Sequence, residues 1–454
     1  MRIIREEFET PVLDEVDVLI CGGGMTGFPA AVAAARDGAR TVLVEGEGSL
    51  GGTATAGMMN GYPPNFGDGT GNQVVGGIIY EFTQRLEEED ALPVGGFSPS
   101  GGDCKLQFDP EVFRMVAMEM VRESGAEVIL RCHGVNPLIE RNRVAGASFT
   151  GRAGRFAIGA RTTVDATGDG SIAAWAGAPF EEAEHNTSTL MYRVCSVDLD
   201  STAEAMAARM PGDRAKSFLE WYRRHGTLSV VVQSDFPDIY DEAVGSGSFP
   251  ADPKAHGDGF DMQGIHGLSR KGFAYVFGPH VRGSCLDPRD TSRREMDATR
   301  LIKMQLGLIR RVPGLEGAEL VQVATSLGVR ASRHIACEYM ITKEDIAVGS
   351  RFPDAVGQGS RYVKWLEARQ VFRGRVYQIP YRALLPLDVE GLLIGGRSVS
   401  RASIRGMVNC AVMGEACGTA ASMCASMGVG PRELPVSRLQ ERLRSRGVVL
   451  GPVA

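Results

Sequence analysis

Residues Leu19–Glu45 read LICGGGMTGFPAAVAAARDGARTVLVE, and the fold turns on this stretch. Val16 to Cys21 is a short apolar run of strand type, suited to a parallel sheet covered on both faces. Gly22, Gly24 and Gly27 then satisfy G-x-G-x-x-G, with Met25 and Thr26 between the last two. The first glycine permits a tight turn, the second lets backbone approach a pyrophosphate, and the third allows close helix–strand contact. An alanine-rich helix is predicted from about Thr26 to Asp37, with Gly38 where a left-handed C-cap would sit. Thr41 to Val44 is the next strand and Glu45 ends it, where a carboxylate accepts hydrogen bonds from ribose hydroxyls. A glycine turn alone can be purely structural. A preceding strand, a following helix, a second strand and an acid at the right distance together predict dinucleotide binding.

The residues after Glu45 bear on which dinucleotide. Gly46 and then the run GGTAT (Gly51, Gly52, Thr53, Ala54 and Thr55) come straight after the ribose acid. A nicotinamide enzyme would be expected to continue into another helix–strand unit. This chain instead enters the glycine-rich segment GMMNGYPPNFGDGTGNQVVGGIIYEF. Flexible backbone there suits an elongated ligand whose middle and far end must be wrapped. Taken alone, Gly22 to Glu45 leaves NAD and FAD open.

The 454 residues are ample for a large core and two intimately connected domains, and no apolar run is long enough to span a bilayer. The N-terminus, MRIIREEFETPVLDEVDVLI, is charged and lacks a signal-peptide core, so a cytoplasmic protein is expected. The net charge of −6 is spread without a basic stripe, which argues against nucleic-acid partners. The nine cysteines include no CxxC pair, so neither a disulfide framework nor a metal or iron–sulfur site is expected. Cys410, Cys417 and Cys424 recur at sevens and read as buried small hydrophobes on one helix face.

Further along, two more stretches join the first in a family likeness. TTVDATGDGSIAAWAGAPFE places Ala166, Thr167 and Gly168 at a strand end, followed by Asp169. PYRALLPLDVEGLLIGGRSVS, with Gly396 and Arg397, is followed by MVNCAVMGEACGTAA. With GGGMTG…VLVE and its GGTAT, the chain resembles two-dinucleotide-binding-domain flavoproteins. Within them it is similar to the FAD-dependent oxidoreductase family related to succinate dehydrogenase and fumarate reductase flavoproteins. The resemblance implies an α/β fold, with a Rossmann-like FAD-binding domain of the glutathione-reductase type and an inserted α+β substrate domain. It implies an A-T-G motif at Ala166–Gly168, a closing G-R strand at Gly396–Arg397, and the backbone of Val135 beside the adenine. It also implies noncovalent FAD, because the first histidine is His133 and the histidine that succinate dehydrogenase links to FAD has no counterpart. The backbone N–H groups of Val408, Asn409 and Cys410, opening the flavin-facing helix, are expected near the flavin's N1 and C2 carbonyl, where reduction gathers charge.

The expected boundaries are residues 1–185 for the first part of the FAD domain, 186–378 for the substrate domain, and 379–454 for the return to the FAD domain and a C-terminal helix. Asp109 is a candidate N-cap with Pro110 at the first helical position. Within 186–378, Thr189 to Val197 reads as strand, TAEAMAARMPGDRAKSFLEWYRRHG as helix, TLSVVVQ and GFAYVFGPHVRG as strands, and Ser292 to Arg311 as a long helix. LPVSRLQERLRSRGV reads as a short exposed amphipathic helix. A second nucleotide fingerprint and a redox CxxC are both missing, which disfavours a pyridine-nucleotide–disulfide reductase.

FAD would supply the hydride step, leaving position, proton transfer and electrostatics to the protein. Of the seven histidines, His185, His256, His266 and His280 fall in or beside the substrate region. His280, in FGPHVRG, can reach the flavin if its strand points inward. Arg330 and Arg333 in SLGVRASRHIACEY resemble a paired-arginine segment. On adjacent helical turns they could grip a carboxylate, or brace the domain interface through Glu338. Arg401 and Arg405 precede the flavin-facing helix and are candidates for touching substrate or the pyrimidine edge, and Tyr381 in IPYRALLP is a candidate proton donor. VGQGSRYVKWLEARQVFRGRVYQ lacks the histidine many relatives carry before IPYR, a departure from the acid–base pattern that the resemblance implies. The leading reading is hydride transfer between flavin N5 and a CH–CH, CH–OH or CH–N bond of a small organic substrate, with a preference for anions expected from Arg405 or Arg330 and an unassigned electron acceptor. A flavin monooxygenase or halogenase, and a non-catalytic dinucleotide-binding protein, are the alternatives. Oligomeric state is not legible.

Overall fold

The computed structural model describes residues 3–4, 6–62, 66–68, 72–93, 106–183, 187–249, 264–268, 272–360, 376–401 and 404–451. The opening stretch forms β1 (Val12–Cys21), α1 (Gly27–Arg36) and β2 (Thr41–Glu45). Val18, Leu19 and Ile20 of β1 are all fully buried, so the strand is covered on both faces, as a central parallel strand must be. Gly38, at φ +89°, takes the left-handed position that ends α1.

Two more helices lie beside α1, α2 (Ile78–Glu88) and α3 (Pro110–Ser124). Asp109 caps α3 as expected, its side chain accepting from the Glu111 N–H at 3.0 Å. Phe28, Phe82 and Phe113 join the three helices, with ring centroids 4.5 to 6.2 Å apart. Then come β3 (Glu127–Leu130), β4 (His133–Glu140), β5 (Arg143–Gly151), β6 (Gly154–Asp165) and the short α4 (Ser171–Trp175). The sheet order is β3-β2-β1-β6-β5-β4, parallel from β3 to β6 and antiparallel from β6 through β5 to β4. This is the α/β, Rossmann-like architecture expected.

The second lobe has its own core around Tyr192, Phe236, Phe249, Tyr275 and Leu301. Its five-stranded sheet runs Thr227–Val230, Ile265–Leu268, Phe273–Val276, Tyr192–Cys195, Glu319–Val323, every pairing antiparallel. A smaller sheet sets Thr187–Thr189 between His280–Arg282 and Gly328–Val329. The long helix is α5 (Pro288–Ile309), capped by Asp287. Three details differ from the sequence expectation. The stretch TAEAMAARMPGDRAKSFLEWYRRHG is two helices, Leu199–Ala207 and Gly212–His225, parted before Pro211, which has no N–H to continue a ladder. TLSVVVQ stops being strand at Val230, because Asp235 takes the Val231 N–H at 2.6 Å and the chain turns helical at Val232. The Arg330–Arg333 segment is extended, with strands at Gly328–Val329 and Arg333–Ile335, so the two arginines are not on helical turns.

The chain then returns to the first sheet. β7 (Leu392–Ile394) pairs in parallel with the end of β6, Leu392 opposite Thr163 and Ile394 opposite Asp165. α6 (Met407–Met427) is apolar nearly all round and almost wholly buried. It lies directly on α1: a Cβ on Gly414 would sit 2.0 Å from the Thr26 carbonyl oxygen, and one on Gly418 2.1 Å from that of Ala30. Cys410, Cys417 and Cys424 are buried in α6 with free thiols. Ile335, Cys337, Ile346, Val356 and Ile379 belong to this first core. The last helix, α7 (Val436–Ser445), is not simply exposed: Leu439 and Leu443 bury one face in the first core while Arg438, Glu441 and Arg442 stay outside. No helix among the described residues is long and apolar enough to cross a membrane.

Glu415 stands out in this packing. Buried in the middle of α6, it accepts the Ile78 N–H at 2.9 Å and so caps α2, whose own N-cap is Gly77. Burial raises its carboxyl from 4.5 to about 8, against the opposing pull of the Ile78 N–H and Arg36. The folded state therefore holds a proton that the unfolded chain gives up, and this contribution to stability is complete below about 4.5 and is lost as pH rises through about 8. Glu415→Gln stays neutral and still offers an acceptor to Ile78. Its melting temperature relative to wild type is expected to climb between pH 5 and 9, and a constant difference across that range would exclude this role.

Candidate cofactor and substrate site

At the end of β1 the chain turns through Gly22, at φ +99°, and enters α1. Gly27 meets the requirement for a third glycine, since a Cβ there would lie 1.7 Å from the Gly22 carbonyl oxygen. The Glu45 carboxylate is already oriented: one oxygen accepts from the Gly23 N–H at 2.5 Å, the other from the Glu47 N–H at 2.7 Å. Gly51 donates to the Gly23 carbonyl at 2.9 Å, which folds the GGTAT run back over the first turn.

A cavity of about 960 Å³ runs from this turn to the start of α6, large enough for a dinucleotide. Of the residues expected to bind cofactor, Gly22, Gly24, Met25, Thr26, Glu45, Gly46, Gly52, Thr53, Ala166, Thr167, Gly168, Asp169, Gly396, Arg397, Asn409 and Cys410 line it. Gly27, Gly51, Ala54, Thr55, Val135 and Val408 do not. Gly27 and Gly51 shape the turn from behind, and Thr55 donates to the Leu50 carbonyl at 2.8 Å. At the Glu45 end it is His133 and Gly134, the two residues before Val135, that line the cavity.

The second and third motifs meet here across 228 residues. Arg397 donates to Asp169 at 2.6 Å, the Ser332 hydroxyl reaches the same carboxylate, and Arg333 donates to the Asp169 carbonyl at 3.3 Å. Burial works to raise the Asp169 carboxyl, but the Arg397 charge and the hydrogen bonds from Ser332 and Arg397 outweigh it and hold the group below its ordinary value. Arg333 thus braces the ATGDG turn, and Glu338 pairs with Arg432 rather than with either arginine of its segment.

At the far end, Arg405, Gly406, Met407, Asn409 and Cys410 form one wall. Cys410 donates its N–H to the Gly406 carbonyl at 2.9 Å, the first bond of the α6 ladder. The N–H groups preceding that bond belong to Met407, Val408 and Asn409, so the expected trio is displaced by one residue. Arg405 lines the cavity and, among the described residues, its guanidinium has no ion-pair or hydrogen-bond partner. Burial lowers it, and the neighbouring Arg397 charge adds to the lowering. Burial pushes the Cys410 thiol up to about 12, which keeps it neutral.

The facing wall comes from the second lobe: Thr189, Met191, Phe277, Leu327 and Arg330. Arg330 touches His280 Nε2 at 2.6 Å. A guanidinium can only donate, so Nε2 accepts and the neutral ring carries its proton on Nδ1. His280 is buried behind Arg330, opposite Thr189 on the neighbouring strand. Two proposed catalytic residues are placed elsewhere. Tyr381 is buried in the first core and donates to the Pro431 carbonyl at 2.9 Å, and burial pushes its hydroxyl well above the ordinary value. Arg401 is exposed and pairs with exposed Glu181. The phenol that does face the cavity is Tyr377, whose oxygen accepts from Asn409 Nδ2 at 2.8 Å. Nothing in IPYR distinguishes Tyr381 from a tyrosine four residues earlier; that depends on which face of the Val376–Pro380 strand turns inward. His266 is buried with Ser229 and Gln107 in the second lobe, and His185 and His256 lie outside the described residues.

FAD fits these surroundings. Thr189 Oγ1, Arg397 Nε and Asn409 Oδ1 belong to cavity-lining residues and are buried without a partner, which is rare unless a ligand completes the site. A carboxylate for the ribose, a glycine turn at a helix start and a second helix start at the far end suit the ligand's length and charge.

Among known proteins, the chain is 25% identical over 208 residues to a digeranylgeranylglycerophospholipid reductase of Methanosphaerula palustris, a match over 42% of this chain and 48% of that protein. It thus spans about half the length of that curated relative. Similar solved structures include a geranylgeranyl bacteriochlorophyll reductase-like protein of Thermoplasma acidophilum, at 15% identity and a TM-score of 0.45, covering 96% of this chain and 84% of that one. An L-proline dehydrogenase from P. horikoshii has 12% identity and a TM-score of 0.43, covering 97% and 100%. The model of the family described as FAD dependent oxidoreductase matches residues 17–443. The chain therefore belongs to the FAD-dependent oxidoreductase family, with FAD as its cofactor.

Proposed function

We propose that this flavoprotein transfers a hydride between a small anionic organic substrate and flavin N5. FAD, when bound, supplies the hydride chemistry. The observation that carries the reading is Arg405, a cavity-lining cation without an anionic partner among the described residues, next to the start of α6. A cation drawn out of water is stabilised by an anion with hydrogen-bonding oxygens, and a carboxylate matches the planar guanidinium fork. On the opposite wall Arg330, held by His280, adds donors, while Met191, Phe277 and Leu327 exclude water from the reacting carbon.

Anaerobic mixing of the holoprotein with matched sets of carboxylates, amines and alcohols tests this, with loss of visible flavin absorbance as the signal. Carboxylates are expected to bleach the flavin. Arg405→Ala should weaken the productive substrate by about 10- to 100-fold, as expected for charge-assisted hydrogen bonds. Equal affinity in the variant would remove Arg405 from the site. Bleaching only by a nicotinamide, followed by oxygen uptake on reoxidation, would favour a monooxygenase instead.

A further inference from the structure

The nucleotide end of the cavity holds a side chain that neither the glycine turn nor Glu45 explains. Trp175 closes α4, lines the cavity and is 45% exposed. A single exposed tryptophan on an outer surface needs no explanation. This one stands on a cavity wall with Glu45, and the wall around it is constructed. Ile172 and Phe149 lie beside it, both buried, and Phe149 is backed by Phe156 in a stack 5.6 Å between centroids.

Gly134 completes the arrangement. A Cβ at that position would meet Ile172 Cδ1 at 3.7 Å and Trp175 Cζ3 at 3.8 Å, so bare backbone runs beside the indole and no side chain competes for the space. One residue earlier on the same strand, the His133 ring packs on Gly46, immediately after the ribose acid. α4 starts directly after Gly170, so the turn that ties Asp169 to Arg397 also sets the position of the indole.

A ligand whose ribose is held at Glu45 carries a base on that ribose. The base needs a flat apolar surface, and an accessible indole supplies the largest one a protein has. We infer that Trp175 is the platform on which the cofactor's adenine lies, and that it carries much of the protein's affinity for adenine nucleotides as distinct from flavins lacking one. The inference rests on the FAD site and not on the proposed substrate, so it stands or falls without any turnover.

The test compares the full chain with Trp175→Phe and Trp175→Ala, using FAD, ADP and FMN as probes. FAD retention is followed by the flavin fluorescence that appears on release, and ADP and FMN by their competition with FAD. Trp175→Ala is expected to weaken FAD and ADP alike, by about 10- to 100-fold, as for loss of one base–aromatic stack. Trp175→Phe should recover most of that loss, and FMN competition should be the same in all three proteins. Unchanged FAD and ADP affinity in Trp175→Ala overturns the inference. So does an equal loss for FMN, or a lowered melting temperature of the flavin-free variant, because either marks a general defect rather than a missing platform.

Discussion

Gly27→Ala is expected to purify largely without flavin and to unfold at a clearly lower temperature than wild type. The new Cβ would lie 1.7 Å from the Gly22 carbonyl oxygen and 2.8 Å from its carbon, both backbone atoms. Neither can move freely. The Gly22 N–H is bonded to the Val44 carbonyl at 2.8 Å, and its α-carbon packs against the Ala166 carbonyl. Relief requires α1 to lift away from β1, which displaces Gly24, Met25 and Thr26 from the cavity and separates α1 from Gly414 and Gly418 of α6. Overpacking of this kind costs about 1–3 kcal/mol, and a clash with backbone belongs at the upper end. Gly38→Ala is the control: its φ is positive, a strain absent at Gly27, but a Cβ there meets nothing within 4 Å. That variant should lose only about 1 kcal/mol and keep its flavin. The ratio of visible to ultraviolet absorbance and a thermal melt on both variants decide the matter. A Gly27→Ala protein with full flavin content would mean that the turn tolerates a side chain and that flavin binding does not depend on this close contact.

Arg294→Met should unfold the second lobe early while leaving the flavin in place. Arg294 lies on α5 with its side chain fully buried. It donates to the Ser188 hydroxyl at 2.8 Å, to the Ser284 carbonyl at 2.8 Å and to the Cys285 sulfur at 3.1 Å. Methionine keeps most of the volume but no donor, so the buried Ser188 hydroxyl and the half-buried Ser284 carbonyl and Cys285 sulfur lose these bonds. Hydrogen bonds to a charged group contribute roughly 1.5–3 kcal/mol each, and a net loss of about 3 kcal/mol is expected here. Ser188 is next to Thr189 on the central strand of the smaller sheet, whose other strands carry His280 and lead to Arg330. Substrate affinity should therefore fall together with the stability of this lobe, while FAD content, to which the first lobe contributes most of the cavity lining, stays close to the wild-type level. Simultaneous loss of flavin would show that the two lobes unfold as one unit.

Much of the nucleotide half was legible because its constraints are local. A turn that must bring backbone to a pyrophosphate, a helix that must touch its strand, and an acid that ends the next strand each demand a residue type at a fixed offset. Those demands put Gly22, Gly24 and Glu45 where the cavity has them. The Asp109 cap and the buried cysteines of α6 were readable for the same reason. The substrate end was not. Arg401 and Arg405 are four residues apart and equally basic, yet one is exposed against Glu181 and the other lines the cavity. Tyr381 and Tyr377 differ only in which direction the chain presents them, one toward Pro431 and one toward Asn409.

By itself the amino-acid sequence determined the strand–turn–helix–strand at the Glu45 end of the cavity, since glycine's missing side chain and a carboxylate's charge act over a few residues whatever surrounds them. Only the tertiary structure decided which cations line the cavity. That choice was made when β7 and α6 returned to the first sheet and brought Arg397 to Asp169, and when the small sheet of the second lobe set Arg330 against His280. Those pairings join residues 228 and 50 positions apart. The reason is physical: a buried charge takes its role from the partner packing supplies or withholds, and no local pattern records that partner.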